Sequence, residues 1–182
     1  MFNPKQFLLI ILVIFFSSVS VYAQDNNKSL TVGFAQVGSE SAWRKAFTAA
    51  TQAEAKARGI NLIFSDAENS QEKEIAALRS FVAQKVDAII LAPVVETGWD
   101  AVLKEIKDAN IPLIIIDRNV TADPSFYLTR ISSDFVFEGR LAAAWLAQAT
   151  VGKCKIIELE GSIGSSAARD RSRGTKHPRW WR

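Results

Sequence analysis

The most constraining feature of this sequence is a regular succession of short apolar runs, each followed by a longer stretch with helical periodicity. Leu30–Ala35, Ile60–Ser65, Asp87–Ala92 and Ile111–Ile116 begin 24 to 30 residues apart. That is the length of a strand plus its crossover helix, not of a solenoid unit. The third and fourth runs carry apolar residues at consecutive positions, as strands buried on both faces of a parallel sheet do. Two further strands are expected at Tyr127–Ile131 and Lys155–Leu159.

The intervening stretches predict four helices. The first spans about 42–58, with Phe47, Ala50, Ala53 and Ala57 on one side and Gly59 placed to end it. The second spans about 70–84, with a stripe of Ile75, Leu78 and Val82 and a capping-box pattern at Asn69 and Glu72. Its neighbouring acids Glu68, Glu72 and Glu74 are expected to form a solvated helix start. The third spans about 99–109 and turns Val102, Leu103 and Ile106 inward; the fourth, about 135–149, offers Phe137, Leu141, Ala144 and Trp145. The strand at Lys155–Leu159 and the loop after it imply a following helix, but none is expected in the residues that remain. The fold class is therefore α/β, a doubly wound parallel sheet.

Residues 1–23 read as a secretory signal. Lys5 supplies the positive start, Phe7–Phe16 is an unbroken apolar run, and Val21 and Ala23 are small residues framing a cleavage site after Ala23. Ten apolar residues cover about 15 Å as a helix, half of a bilayer core, which argues against a membrane anchor. The expected compartment is the periplasm.

Composition excludes several classes. With 48% hydrophobic residues, nine glycines, five prolines and a single cysteine, the chain is neither disordered nor collagen-like nor a disulfide framework. Cys154 is expected to be buried or half-buried. The net charge of +3 is a property of the tail. Setting aside Lys5 and the whole stretch Arg169–Arg182, with its six bases and Asp170, 15 bases face 18 acids, so the body gives no footing for nucleic acid.

Catalytic signatures are missing. There is no G-x-S-x-G elbow, P-loop or G-x-G-x-x-G after the first strand, and the one histidine, His177, lies in the tail. No catalytic residue, metal ligand or cofactor is assigned. Gly161–Ser166 reads as a plain turn into a helix rather than an anion cradle.

In open α/β sheets a ligand sits at the carboxyl ends of the strands. Gln36–Arg44 follows the first strand, Asp117-Arg118 the fourth, and Gly161–Gly164 and Arg169-Asp170-Arg171 the sixth. A carboxylate accepts bonds from neighbouring hydroxyls, a guanidinium donates a planar fork, and an indole such as Trp43 offers a flat face for C–H groups. The set suits a neutral polyol. Its alternative is purely structural, with Asp117-Arg118 capping a turn and Trp43 packing between helix and sheet.

The segments LTVGFAQVGSESAWRKA, LAPVVETGW, IPLIIIDR and IELEGSIGSSAARDR resemble the periplasmic sugar-binding proteins of ABC importers. More narrowly, the resemblance is to the galactofuranose binders of the ribose-binding-like, type I group, and it runs from about Leu30 to Arg171. It implies that Glu40, Ser41, Ala42, Trp43, Arg44, Asp117 and Arg118 line a sugar site on a first lobe, with Arg171 reaching across from a second. It also implies a monomer that closes on a monosaccharide and docks on a membrane permease, with no cofactor. The first lobe would occupy 24–132, and 133–174 would begin the second lobe, most of which is missing. Residues 175–182, with Trp180 and Trp181, match nothing in the family and read as frame-shifted, and such a truncated chain is expected to bind poorly. Two other functions share this kind of fold: the sugar-sensing domain of a transcription regulator, and an exported carbohydrate enzyme using Glu40 and Asp117.

Overall fold

The computed structural model describes residues 29–176; the expected signal at 1–23, His177, Trp180 and Trp181 lie outside them. Five strands form one parallel sheet: β1 (Thr31–Gln36), β2 (Asn61–Asp66), β3 (Ala88–Ala92), β4 (Leu113–Ile116) and β5 (Thr129–Ile131). Their order is β2-β1-β3-β4-β5. The register pairs Phe34 with Phe64 and Ile90, and Ile90 with Ile114. The helices are α1 (Ala42–Ala57), α2 (Gln71–Ala83), α3 (Asp100–Asp108), α4 (Phe135–Ala149) and α5 (Ser166–Thr175).

The periodicity placed the first five strands and four helices within two residues or so of their observed limits. Gly59 ends α1 at φ 66°, a left-handed position that a side chain would strain. Ser70 caps α2, its Oγ accepting from the Lys73 N–H, so the cap is one residue later than the Asn69–Glu72 pattern implied.

The main core lies under α2 and α3. Leu78 and Phe81 from α2, with Val102, Leu103 and Ile106 from α3, pack on Ala35, Ile89, Leu91, Leu113 and Ile115. Phe81 reaches this depth because Gly33 in β1 has no Cβ: one built there would stand 2.5 Å from the ring. The opposite face is covered by α1, where Phe34 packs edge-on against Phe47 and beside Phe64. That cover is partial. Ile90, Ile114 and Ile116 are half-buried, and a cleft of about 400 Å³ runs between α1 and Val32, Leu62 and Ile90. β3 and β4 are thus sealed on one face only, not on both.

Several expectations need correction. The buried stripe of α1 is Arg44, Thr48 and Ala55, while Ala50, Ala53 and Ala57 are exposed, because the helix turns its polar residues onto a polar strand end. Glu74 is not solvated: it is fully buried, on the same stripe as Leu78 and Phe81. In α4 the buried residues are Phe135, Gly139 and Ala143, whereas Phe137, Leu141 and Trp145 are more than half exposed. Lys155–Leu159 forms no strand, since no other strand among the described residues runs beside it, and a lone strand has no ladder to complete. Cys154, at the start of this segment, is exposed. A helix does follow: α5 is capped by Ser165 and continues through Thr175.

The α4–α5 pair crosses at glycines. A Cβ on Gly139 would lie 2.1 Å from the Arg171 carbonyl, and one on Gly174 would lie 2.2 Å from the Val136 carbonyl. Only glycine permits this backbone approach.

Candidate functional site

The site is built from the carboxyl ends of β1, β3 and β4. β1 ends in Gln36, fully buried although polar. Its side-chain Nε2 donates to Thr48 Oγ1 at 3.2 Å, and its Oε1 accepts from Arg44 Nη1 at 3.1 Å. The same Nη1 meets Asp117 Oδ2 at 2.8 Å. Arg44 is therefore held from two strands at once and is only 4% exposed. Glu40, one turn earlier, lies 3.9 Å from Arg44 Nε, and that buried Nε has no hydrogen-bond partner. An unmatched donor in a buried fork is costly unless something accepts from it.

Asp117 and Arg118 leave β4 through a tight turn. Asp117 sits at φ 62°, and the Arg118 N–H bonds back to the Ile116 carbonyl at 2.7 Å around it. A non-glycine residue held left-handed costs on the order of 1–3 kcal/mol and persists where the surroundings impose it. Here the Asp117 N–H is pinned to the Ile131 carbonyl at 2.8 Å. The turn sends the Asp117 carboxylate to Arg44 while the Arg118 guanidinium donates to the Val94 carbonyl at 2.9 Å, in the β3–α3 loop. Burial, and then the charge of Arg44, lower the Arg118 pKa from its ordinary value.

Beneath the two arginines lies Glu74. Its Oε2 accepts from the Val94 N–H at 2.9 Å, and its buried Oε1 has no partner. Burial pushes its pKa up to about 8, against the opposing pull of the Val94 N–H, Arg118 and Arg44.

The far wall comes from the segment leading to α5. A cavity of about 500 Å³ is lined by Glu40, Ser41, Arg44 and Arg118 on one side, with Glu160 and Arg171 among the residues opposite. Arg171 lies over the Phe135 ring at 4.5 Å and bonds Glu138 at 2.8 Å, which orients it from α4. Three polar contacts tie the walls together. Arg169 pairs with Glu96 at 2.6 Å, the Glu96 N–H meets the Gly164 carbonyl at 3.0 Å, and the Asn119 N–H meets Ser166 Oγ at 2.7 Å.

Of the eight residues expected to form the site, five line this cavity, and Asp117 stands behind it, bonded to Arg44. Ala42 and Trp43 do not line it. Trp43 is 57% exposed, stacked on Phe47 at 5.2 Å with Arg44 4.9 Å from its ring, so it sits on the outer rim. Sequence reasoning missed Gln36, Thr48, Glu74 and Glu96. Gln36 was detectable as a polar residue closing an apolar strand. Glu74 stands four and seven residues before Leu78 and Phe81, so the apolar stripe itself pointed at it.

The carboxyl ends of the parallel sheet thus carry a polar cleft rimmed by fixed arginines, with a second helical unit opposite. The chain belongs to the periplasmic binding protein domain family, whose model matches residues 32–177. It is 52% identical over 147 residues to the galactofuranose-binding protein YtfQ of Escherichia coli (strain K12), covering 80% of this chain and 46% of that one. Among solved structures it is similar to the periplasmic binding component of the arabinose ABC transporter from Shewanella sp. ANA-3, bound to α- and β-L-arabinofuranose. That similarity has a TM-score of 0.78 and 59% identity, covering 80% of this chain and 48% of that one. A galactofuranose-binding protein matches with a TM-score of 0.79 and 51% identity, covering 80% and 50%. The chain spans about half the length of these relatives. The family is one of solute-binding proteins.

Proposed function

We propose that this chain is part of the periplasmic solute-binding component of an ABC sugar importer, exported with cleavage after Ala23, and that it acts without catalysis or cofactor. It binds a monosaccharide in furanose form and, as a monomer, delivers it to a membrane permease. Residues 24–132 serve as the first lobe and 133–174 begin the second, with Ser132 and Ser133 at the crossing between them.

The observation that carries this reading is the cavity in which Glu40, Arg44 and Arg118 of the first lobe face Arg171 of the second. Glu40 would accept hydrogen bonds from hydroxyls, and Asp117, behind Arg44, would hold that arginine toward the ligand. The unpartnered Nε of Arg44 would donate to a ring or hydroxyl oxygen, and Trp43 on the rim would stack on a C–H face. The furanose form is supported by the two solved relatives named for arabinofuranose and galactofuranose.

The test is a titration of the purified, isotope-labelled chain with arabinose, galactose and ribose, followed by NMR so that millimolar binding registers. Saturable shifts at 40–44, 117–118 and 171, strongest for sugars with a substantial furanose fraction, are expected. A spectrum unmoved by every sugar would sink the proposal.

A further inference from the structure

Glu74 is an acid with no solvent contact, on a stripe otherwise built of Leu78 and Phe81. A carboxyl group in such a place is costly unless it is neutral or bonded, so its position needs a reason. Its bond explains it. Val94 receives two side chains from opposite directions: its N–H donates to Glu74 Oε2 and its carbonyl accepts from Arg118 Nη1, each at 2.9 Å. The chain of bonds runs from α2 through one residue of the β3–α3 loop to the guanidinium lining the cavity.

We propose that Glu74 is a positioning residue for the sugar site, fixing the β3–α3 loop at Val94 so that the loop in turn fixes Arg118. The inference rests on the sugar-binding reading of the cavity, but the placement of Arg118 can be read without any sugar.

Charge completes the argument. The charged groups facing Glu74 are Arg118, after β4, and Arg44, from α1; Asp117 and Glu40 stand with those arginines and offset them. While Glu74 is neutral, Arg118 is free to serve the cavity. Once ionised, with Oε1 unmatched, Glu74 draws both arginines inward and away from a ligand. Glu74→Gln keeps the acceptor for Val94 and removes the titration; Glu74→Leu removes both.

The experiment follows the Arg118 guanidinium NMR signal, assigned with Arg118→Lys, and hydrogen exchange at the Val94 amide, in the full chain. At pH 7, E74Q is expected to match the wild type, while E74L, folded by circular dichroism, loses Val94 protection and the discrete Arg118 signal. A folded E74L with both readouts unchanged overturns the proposal. If E74L does not fold, the pH series decides. Between pH 7 and 9 the Arg118 signal moves in the wild type and stays fixed in E74Q, and identical profiles overturn the proposal. With sugar present, wild-type affinity falls about tenfold per pH unit above about 8 and that of E74Q does not. Absence of any sugar response counts against the binding reading alone, because the Arg118 readout is independent of it.

Discussion

Arg44 shows how much one side chain can be asked to do. Its Nη1 joins the end of β1, through Gln36, to the turn after β4, through Asp117, and its stem is buried beneath Trp43 and Glu40. Lysine offers a single ammonium group in place of the planar fork and cannot serve two acceptors and a ligand with the same geometry. Arg44→Lys is expected to lower stability by about 1–3 kcal/mol in urea denaturation and to abolish saturable sugar shifts. Glu74 makes stability depend on pH in an unusual direction. Its folded pKa of about 8 stands above the ordinary 4.5, so the folded chain holds a proton that the unfolded chain releases between those values. Its contribution is complete below about 4.5 and is lost as pH rises to about 8, by roughly 1.4 kcal/mol per unit in that window. The stability of E74Q minus that of the wild type should rise across pH 5 to 8, and parallel curves would contradict this. That Glu40, Ser41, Arg44 and Arg118 line a cavity and Asp117 stands behind it accords with their place after β1 and β4 and with the family resemblance, which together singled them out. Their supports were legible only in part: Gln36 closes an apolar strand and Glu74 shares the stripe of Leu78 and Phe81, but the partner that receives each is set by the fold.

At the scale of elements, hydrophobic period fixed where helices and strands lie better than which way they face. β1 to β5 and α1 to α4 were all readable, but α1 and α4 turn different stripes inward than their apolar residues suggest. In α1 the reason is the polar network at Arg44 and Thr48. In α4 it is the crossing with α5, which selects Gly139 for closeness instead of Trp145 for size. Replacing Gly139 by valine should force the pair apart and cost about 1–3 kcal/mol. Because Arg171 lies directly at the crossing, sugar response should fall with it, and an unchanged melting temperature in G139V would refute the packing argument. Lys155–Leu159 teaches the complementary lesson, that an apolar β-branched run is a strand only beside another. Its amides should exchange with solvent far faster than those of β1 and β3, as hydrogen-exchange mass spectrometry would record.

For the whole molecule, the strand order puts β1 and β3 side by side, with their helices departing to opposite faces of the sheet. The candidate site opens above that divergence. Among the described residues the second unit is attached there by few bonds, and the pair of Glu96 with Arg169 joins charged groups. Arg169 is half-exposed, so the pair is worth little in static stability but matters for how often the walls meet. Glu96→Gln should leave the urea midpoint of the first unit within about 0.5 kcal/mol and increase proteolytic cutting within 153–163.

The tight turn at Asp117 has a consequence for how such a binder can be repurposed. Two adjacent residues are aimed in divergent directions by a backbone kink that the β5 strand holds in place. Exchanging either side chain changes what the pocket offers a solute, but not where it is offered. Insertion or deletion of a single residue between 116 and 119 would swap the two directions at once. A changed pocket therefore has a cheap route through substitution and almost none through changes of loop length, which makes this corner the fixed origin from which the rest of the pocket can drift.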